Sequence, residues 1–350
     1  MQPKKILIIQ TAFLGDVVLT LPLLSAAARL FPSAKIDFLA IPAAANVVQT
    51  HPDLHSLVVY DKRGSDRGIS GLFSLIKKLR KCRYGLALVP HRSFRSAFLA
   101  FAAGIPVRVG FSASAGRRLL THIVPYERKK SLHEAERNLG LLSLFGEKMP
   151  SLPPRVFVDE NDRATVDNFL RVRKIFRTDP LIALAPGSVW ATKRWLPERY
   201  AELASRFTSD GKTVILIGGK DDRELCDKIL LMSKKAGHNA AGMLTPRESA
   251  ELIRRCRLLV TNDSAPLHLA NAVKTPVVAI FGPTVSDFGF FPRGVEDRLV
   301  EINGLTCRPC GIHGGTKCPI GTFECMKNIS VPQVMKAIGE VLGEEISCQS

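Results

Sequence analysis

The chain has 350 residues, 46% of them hydrophobic and 23% charged, a balance that excludes disordered, collagen-like and disulfide-dense proteins. Its length exceeds what one hydrophobic core usually serves, so we expect two domains. The formal net charge of +17 predicts an anionic partner or surface.

The first half alternates short apolar runs with helical patterns. It opens with an apolar run over residues 4–10, a loop that contains Gly15 and a helical pattern over 17–30. Further strands are predicted at 35–40, 56–60 and 84–90, and helices at 71–81 and 94–103. Strands that alternate with helices predict βαβ units and a parallel sheet.

The same alternation begins again after a Pro-rich polar stretch, 150–162, and a basic helical segment, 163–176. Strands are predicted at 181–185, 213–219, 258–261 and 277–281, and helices at 197–210, 222–236, 246–255 and 265–272. The sequence therefore predicts an α/β protein of two Rossmann-like domains, residues 1–176 and 177–350.

The positive charge is concentrated in the first domain. Residues 1–176 contain 27 basic and 13 acidic residues, a net charge of +14, whereas residues 177–350 contain 22 and 19, a net charge of +3. The first domain is therefore expected to face the anionic partner. The alternative is a solvated basic surface that only aids solubility.

Neither a membrane span nor an export signal is predicted. The longest apolar candidate, 97–107, is about half the length of a span and contains Gly104 and Pro106. The N-terminal apolar run, 6–9, is too short for the core of a signal peptide. The 8 cysteines do not form the framework of a small secreted domain, so we expect a cytoplasmic protein.

Loops that follow strands are the expected binding sites, because ligands of open α/β sheets bind beyond the carboxyl ends of the strands. Four such loops stand out, at 11–16, 186–195, 218–222 and 262–268. They contain neither GxGxxG nor the P-loop motif GxxxxGKS/T. Their absence argues against a dinucleotide-dependent oxidoreductase and a P-loop kinase.

The first loop, in TAFLGDVVLTLP, places Asp16 at the start of a helix directly after Gly15. A carboxylate in this position can act as a general base. It can equally be a helix-capping aspartate that binds the free N–H groups and the dipole of the helix. The sequence leaves both interpretations open.

The second loop, in APGSVWATKRWLP, offers Ser188 and Thr192 as compact hydrogen-bonding residues and Lys193 as a cation. Small hydroxyls, exposed backbone N–H groups and a fixed cation suit a diphosphate. The alternative is a surface loop with solvated cations, in which Trp190 and Trp195 are packing anchors.

The third motif, LVTNDSAPLHLANA, places Asp263 and Ser264 between a strand and a helix. Ser264 and His268 are four residues apart and share a helix face. Ser264 and the helix N-terminus can bind a phosphate, while Asp263 accepts hydrogen bonds from hydroxyls. The alternatives are ordinary helix-start chemistry and a core histidine bonded to a backbone carbonyl.

A cysteine group follows near the C-terminus. Cys307, Cys310, Cys318 and Cys325 are spaced x2, x7 and x6, with His313 among them. A CxxC pair with two further cysteines can bind zinc structurally. Because the second pair is not a CxxC, a packed loop without metal is the other interpretation.

Together these motifs resemble the heptosyltransferases of glycosyltransferase family 9. The resemblance rests on GD after the first strand, PGS with KRWLP, and NDSAPLHLA followed by FGPT. PHRSFRSAFLAFAAGIPVRVGF resembles the acceptor segment of the family, and CRPC with two later cysteines resembles its C-terminal tail. The resemblance covers nearly the whole chain and is to the heptosyltransferase II subgroup.

The resemblance implies a GT-B fold, in which two Rossmann-like domains face each other across a cleft. The first domain would hold the acceptor and the second the nucleotide sugar. The implied reaction is an inverting, metal-independent transfer of heptose from ADP-heptose to the inner core of lipopolysaccharide, with no cofactor. A glycosyltransferase of the same fold that uses another nucleotide sugar, and a non-catalytic sugar-nucleotide-binding protein, are the alternatives.

By position, the resemblance assigns Asp16 as the general base and Lys193 as the cation that neutralises the leaving diphosphate. Ser188 and Thr192 would assist the phosphates. The other implied donor contacts are Asp263 to the heptose hydroxyls, Ser264 and His268 to the diphosphate, Met243 to adenine, and Asp222 or Asp221 to the ribose. The chain departs from the family at Ala265, where glycine is usual, and the added methyl group narrows the approach to the phosphates.

The implied acceptor, built from Kdo and phosphorylated lipid A, is polyanionic and lies in the inner leaflet. The charge of the first domain suits it and predicts peripheral attachment to the cytoplasmic face of the inner membrane. We expect Arg92, Arg95, Arg117 and Lys130 to contact the acceptor, each having a solvated side chain as its alternative. Nucleic acid is not expected as a partner, because aromatic content is 7% and no recognition-helix or RNP-type motif occurs.

Overall fold

The structure is a computed structural model that describes residues 2–127, 132–146, 150–176 and 178–344. The chain divides into two compact units, Met1–Phe157 (unit 1) and Val158–Ser350 (unit 2). Each unit contains a parallel sheet of six strands. The predicted α/β class with two Rossmann-like domains is therefore confirmed.

The boundary between the units lies before the predicted one at residues 176 and 177. The helix Glu160–Val172 belongs to unit 2, where Arg247 forms ion pairs with Asp159 and Asp162. Residues 158–176 contain four acidic and four basic residues, so the net charges of +14 and +3 hold for the two units as well.

Unit 1 is built on strands whose residues are largely buried. The strands are β1 (Lys5–Ile9), β2 (Lys35–Ala40), β3 (Ser56–Val59), β4 (Leu86–Val89), β5 (Val107–Phe111) and β6 (His122–Val124). The helices are α1 (Leu14–Val18), α2 (Leu21–Leu30), α3 (Pro42–Gln49), α4 (Gly68–Cys82), α5 (Phe94–Ala102) and α6 (Glu134–Leu139). The strand order is β3-β2-β1-β4-β5-β6, the order of a doubly wound sheet.

Unit 2 repeats this arrangement. Its strands are β7 (Leu181–Ala185), β8 (Thr213–Leu216), β9 (His238–Asn239), β10 (Leu258–Asn262), β11 (Val277–Phe281) and β12 (Arg298–Glu301). Its helices are α7 (Glu160–Val172), α8 (Pro197–Ser209), α9 (Arg223–Met232), α10 (Pro246–Arg254), α11 (Ala265–Val273), α12 (Glu324–Lys327) and α13 (Val331–Leu342). The order β12-β11-β10-β7-β8-β9 is that of unit 1 read from the other edge.

The helix predicted over residues 17–30 is wrong as a single element. The chain forms α1 and α2 instead, with Thr20 as the N-cap of the second helix and Pro22 in its first turn. Proline is favoured in a first turn but not inside a helix, because it lacks an N–H group and crowds the preceding turn. The break sets α1 apart as a short helix that carries Asp16.

The strand order reverses between β1 and β4 in unit 1, and between β7 and β10 in unit 2. At such a switch point the two adjacent loops run to opposite faces of the sheet and leave a crevice that binds ligands. The predicted loops 11–16, 186–195 and 262–268 follow β1, β7 and β10. The fold therefore places them at the two switch points.

Within the described ranges, no helix has the length and apolar character needed to cross a membrane.

Candidate active site

Asp16 lies at the switch point of unit 1, as the third residue of α1. The N-cap of α1 is Phe13, not Asp16. The side chain is half-buried, and desolvation together with the nearby Glu134 raises its pKa to about 6, against a smaller lowering by Arg92. A carboxylate with this pKa is a stronger proton acceptor than an ordinary aspartate.

Glu134 is buried at the start of α6 and carries the second carboxylate of this site. It accepts a hydrogen bond of 2.8 Å from the Tyr126 hydroxyl and pairs with Arg137 at 3.0 Å. The guanidinium of Arg92 lies 4.2 Å from the centre of the Tyr126 ring. The charge that acts on Asp16 is therefore held in place by a packed network.

Helix α6 is also bonded to the segment that carries Asp16. The Asn138 amide donates to the Leu19 carbonyl at 3.1 Å, and the Thr20 hydroxyl donates to the Asp16 carbonyl at 2.7 Å. Gln10, at the end of β1, donates to the Thr20 hydroxyl at 3.1 Å. These bonds fix α1 relative to both the sheet and α6.

A neutral histidine stands beside the same switch point. His91, two residues after the end of β4, bonds through Nδ1 to the hydroxyls of Thr11 at 3.0 Å and Ser96 at 2.9 Å. Lys62 donates to the Thr11 carbonyl at 2.9 Å. Burial, with Lys62 and Arg92 in addition, lowers the pKa of His91 to about 4. The neutral His91 ring can therefore form hydrogen bonds at this site, while Lys62 and Arg92 supply the positive charge.

The predicted acceptor contacts have different surroundings. Arg92 is half-buried against Tyr126, whereas Arg95, in the first turn of α5, and Arg117, in a short 3-10 turn, are exposed. Lys130 lies outside the described residues. Arg92 and Arg95 both follow β4 and so belong to the carboxyl edge where Asp16 lies.

Lys193 lies in the loop after β7, at the switch point of unit 2. Its ammonium lies 2.6 Å from Asp263, and both side chains are nearly buried. The same carboxylate oxygen accepts a hydrogen bond of 2.6 Å from the Thr284 hydroxyl. An ammonium has three donors, so the pair with Asp263 leaves Lys193 able to donate to a phosphate oxygen.

The loop that carries Lys193 is clamped by one buried amide. Asn262, the last residue of β10, donates to the Pro186 carbonyl at 2.8 Å and accepts from the Trp195 N–H at 3.1 Å. Arg194 donates to the Ser188 carbonyl at 2.8 Å. The Ser188 hydroxyl accepts from the Trp190 N–H at 3.3 Å, which places it inside the turn.

Thr192 ties this loop to the C-terminal segment. Its hydroxyl donates to the Gly315 carbonyl at 2.9 Å and accepts from the Gly315 N–H at 2.8 Å. The Trp190 ring stacks on His313, with centroids 6.3 Å apart. The Thr192 hydroxyl thus holds the loop of Lys193 against the C-terminal segment. Its predicted contact with phosphate stays a prediction.

His268 lies one turn into α11, four residues after the N-cap Ser264. It is buried, and its Nδ1 atom has no hydrogen-bond partner among the described residues. Burial lowers its pKa to about 4, although Asp263 acts in the opposite direction, and Lys193 adds to the lowering. The predicted carbonyl partner of a core histidine is therefore not found at this nitrogen.

Asp222 lies between the ends of β7 and β8. Its carboxylate accepts from the Gly219 N–H at 2.9 Å and occupies the space beside Gly187, where a Cβ atom would lie 2.2 Å from Asp222 Oδ1. Asp221 and Met243 are exposed, and Arg173 donates to the Met243 sulfur at 3.2 Å. The predicted contacts of these residues with ribose and adenine stay predictions.

Cys307, Cys310, Cys318 and Cys325 are the four cysteines for which zinc binding and a packed loop were both predicted as possible. Among the residues that the structure describes, no three His, Cys, Asp or Glu side chains are grouped to hold a metal ion. Cys325 is buried in the core of unit 2, and the Cys310 thiol lies 3.1 Å from the Cys307 carbonyl. The contacts of this segment include Thr192 and Trp190, and zinc binding stays a prediction.

Comparison with known proteins decides the family. The profile of glycosyltransferase family 9 (heptosyltransferase) matches residues 72–311, more than half of the chain. The chain belongs to glycosyltransferase family 9. It is therefore a glycosyltransferase of the heptosyltransferase type.

Relatives within this family match along most of their length. Lipopolysaccharide heptosyltransferase 2 of Salmonella typhimurium is 29% identical over 355 residues, covering 97% of this chain and 99% of that protein. The Escherichia coli protein of the same name is 29% identical over 296 residues, covering 81% of this chain and 84% of its own length.

Solved structures of family 9 share the fold. A glycosyltransferase family 9 protein from Veillonella parvula superposes with a TM-score of 0.86 at 26% identity, covering 97% of both chains. The Escherichia coli ADP-heptose lipopolysaccharide heptosyltransferase II superposes with a TM-score of 0.77 at 26% identity, covering 97% of this chain and 98% of the other. The predicted GT-B fold class is confirmed.

Sequence reasoning missed several residues that surround Asp16 and His91 at the switch point of unit 1. Glu134, Tyr126, Lys62 and Thr11 are absent from the predicted set, and His91 appears only as a letter in the acceptor motif. Glu134 is separated from Asp16 by more than a hundred residues, and no periodicity relates them. The sequence does contain one indication of this site. His91 and Arg92 follow β4, and loops after the strands at a switch point are binding positions.

Proposed function

We propose that the chain transfers heptose from ADP-heptose to the inner core of lipopolysaccharide, with inversion at the anomeric carbon and without a metal ion. The observation that carries the proposal is Asp16, a half-buried carboxylate with a pKa of about 6 beside Arg92 at the switch point of unit 1. Family membership and the names of the relatives support the sugar and the acceptor.

Asp16 would accept the proton of the acceptor hydroxyl as its oxygen attacks the anomeric carbon of the donor. The raised pKa supports this role, because a base with a pKa near the working pH is strong and still largely ionised. The new C–O bond forms on the face opposite the leaving group, and this direct displacement inverts the configuration. His91 and Thr11 would bind the acceptor as hydrogen-bonding groups.

Lys193 would neutralise the charge that develops on the diphosphate as its bond to the sugar breaks. Its pair with Asp263 supports this role, since a cation fixed before the reaction loses little entropy when it stabilises the leaving group. The N-terminus of α11 and the unpartnered Nδ1 of His268 supply further hydrogen-bonding capacity beside it. A fixed ammonium in this place supports chemistry without a divalent cation.

The acceptor would be an anionic lipopolysaccharide precursor at the cytoplasmic face of the inner membrane. The net charge of +14 on unit 1 supports an anionic acceptor held by Arg92 and Arg95. The candidate contacts Arg117 and Lys130 remain part of this proposal.

Incubation of the purified protein with ADP-heptose and either Kdo2-lipid A or its mono-heptosylated form tests the proposal. We expect only one acceptor to consume the donor, EDTA to leave the rate unchanged, and NMR of the product to show an anomeric configuration opposite to that of the donor. UDP- and ADP-linked hexoses should react at least about a hundredfold more slowly. Faster reaction of either would favour the alternative of another nucleotide sugar.

The Asp16→Ala variant tests the base. Loss of the carboxylate should lower turnover by about 100-fold or more while the affinity for ADP stays unchanged, since a general base contributes to the chemical step. Asp53→Ala, at an aspartate of unit 1 that accepts a hydrogen bond from Ser25, is the matched control and should retain full turnover. Equal rates in the Asp16→Ala variant and the parent would contradict the proposed mechanism.

A further inference from the structure

The basic charge of unit 1 is concentrated in one stretch of the chain. Residues 67–126 contain 11 lysines and arginines and no aspartate or glutamate. This stretch spans α4, β4, α5, β5, a 3-10 turn over Arg117–Leu119 and β6. The catalytic proposal uses few of these cations, so most of the charge calls for another explanation.

Helices α4 and α5 lie side by side on one face of the sheet. Leu7 and Ile9 of β1 alternate along the strand and so point to the same face, and both pack in a cluster with Leu79 of α4 and Ala100 of α5. The Arg80 guanidinium in α4 donates to the Ala102 carbonyl of α5 at 2.7 Å. The surfaces of the two helices that face away from the sheet therefore form one continuous layer.

This outer layer exposes large apolar side chains. Ile69 and Phe73 of α4 are 74% and 64% exposed, and Phe94 and Phe101 of α5 are 55% and 49% exposed. The Phe94 ring stacks on Phe98, with centroids 6.0 Å apart. Several apolar groups of this size exposed on one layer indicate a contact with a protein or a membrane.

The same elements and the turn that follows them also expose cations. Exposed basic side chains lie in α4 and just after it, at the start of α5 and in the 3-10 turn; they are Lys77, Lys78, Lys81, Arg83, Arg95, Arg117 and Arg118. We call the exposed side chains of α4, α5 and this turn the basic-aromatic face. Within residues 67–126 no acidic side chain opposes its charge.

We propose that the basic-aromatic face docks unit 1 onto an anionic lipid bilayer. Its charge complements a surface of anionic headgroups, which attract basic residues near the membrane, and its phenylalanine and isoleucine side chains insert into the boundary between headgroups and acyl chains. Aliphatic Ile69 contributes to insertion but not to stacking on bases, so the combination favours lipid over nucleic acid.

The inference rests on the proposed function, because it supplies the surface from which a lipid-linked acceptor would reach the enzyme. Helix α5 begins with Phe94 and Arg95, directly after His91 and Arg92 at the carboxyl end of β4. The basic-aromatic face therefore extends to the edge of the switch point where Asp16 lies. Docking by this face brings acceptor headgroups to that edge.

Co-sedimentation of the full chain with vesicles tests the inference. Vesicles of phosphatidylglycerol and phosphatidylethanolamine contain no lipopolysaccharide, so binding to them does not depend on acceptor recognition. We expect binding at low salt, at least about tenfold weaker binding to phosphatidylcholine vesicles, and a fall in binding as salt is raised. Equal binding to both kinds of vesicle would overturn the proposal, and so would tighter binding to a short single-stranded DNA.

Two variants separate the charge of the face from its apolar groups. Lys77→Glu combined with Lys78→Glu should weaken vesicle binding at least about tenfold, because each basic residue near an anionic surface contributes to attraction. Phe73→Ser should weaken it by about tenfold through lost insertion. The controls in unit 2 are Lys228→Glu with Lys336→Glu, and Leu231→Ser, which change exposed lysines and an exposed large apolar residue.

The control variants should bind like the parent protein. If they weaken binding as much as the variants of the face, the face has no special role and the proposal fails. Heptose transfer to a deacylated, water-soluble acceptor should be the same in all these variants, whereas transfer to vesicle-embedded acceptor should fall in the variants of the face. No transfer to either acceptor, with vesicle binding intact, would instead overturn the proposed function.

Discussion

Asp16 has a pKa that is useful for proton transfer and costly for stability. Its carboxyl has an ordinary pKa of 3.8, which desolvation and Glu134 raise to about 6 in the folded chain. Above pH 6 the folded protein must hold a carboxylate that is ionised more easily in the unfolded chain. Strain of this electrostatic kind is typical of active sites.

Replacement of Asp16 by asparagine should therefore stabilise the protein at alkaline pH. The penalty is present above the folded pKa of about 6 and absent below the ordinary pKa of 3.8, where both states are protonated. We expect the free energy of unfolding at pH 8 to rise by about 1–3 kcal/mol and to change little near pH 3.5. Urea denaturation of Asp16→Asn, with Asp53→Asn as the control, measures this. A variant less stable than the parent at pH 8 would contradict it.

Glu134 does not touch the substrate in the proposed mechanism, but its negative charge raises the pKa of Asp16. Glu134→Gln preserves the shape of the side chain and removes the charge, so the pKa of Asp16 should fall and the acid limb of kcat/KM should move to lower pH. Arg92, the other charged group acting on Asp16, is unchanged in this variant.

The pH dependence of kcat/KM separates this effect from a structural one. Tyr126→Phe removes the hydrogen bond to Glu134 but keeps its charge, so its acid limb should stay nearer that of the parent protein. If Glu134→Gln lowers activity at every pH without moving the limb, Glu134 serves the packing of α6 alone.

The predictable part of the site is the part that is local in sequence. Asp16, Lys193 and Asp263 each follow a buried apolar strand, so the sequence alone predicted the loops that carry them. The pairing of Lys193 with Asp263, and the bonds of Thr192 to Gly315, join residues far apart in the chain. Such contacts depend on the strand order and on the path of the C-terminal segment, which no local pattern encodes.

Helix α7 belongs to unit 2 because of two buried interactions at its N-terminus. The Asp162 carboxylate accepts from the Asp159 N–H at 2.9 Å and lies 2.5 Å from the Arg247 Nε of α10. Asp159 and Asp162 therefore cap the start of α7 reciprocally. Asp162 also neutralises the nearly buried guanidinium of Arg247. A helix pinned in this way packs as part of the unit that supplies the arginine.

Asp162→Ala should destabilise the protein strongly. It removes a cap and one partner of buried Arg247, with an expected loss of about 2–4 kcal/mol in the free energy of unfolding. The control is Asp167→Ala on the same helix, where an exposed aspartate pairs with Arg255 and the expected loss is below about 1 kcal/mol. Urea denaturation measures both, and equal losses would show that α7 is not fixed through Asp162.

Strands were easier to predict than helix boundaries in this fold. β7, β10 and β11 consist of buried residues only, and a continuous apolar run predicts such a strand directly. β6, β9 and β12 lie at sheet edges and are only partly buried, so their patterns are weak and all three were missed. The interior strand β5, which is buried only in its second half, was missed as well. Helix α3 was missed as well, because its alanines give little periodic contrast.

At the scale of the whole molecule, the two units share a strand order but not a charge. The order 3-2-1-4-5-6 follows from two successive sets of βαβ units, and the alternation of strands and helices was sufficient to predict that class. The net charges, +14 against +3, differ although the strand order is the same. We therefore expect the two units to bind different ligands on a common scaffold.

The two histidines at the switch points stay neutral over a wide range. His91 and His268 both have pKa values of about 4, so neither gains a proton between roughly pH 5 and pH 8. With a pKa of about 6, Asp16 goes from about nine-tenths ionised at pH 7 to half ionised at pH 6. Mild acidification would therefore remove the negative charge of Asp16, the proposed base, from half of the molecules. The charge of His268 beside Lys193 would not change.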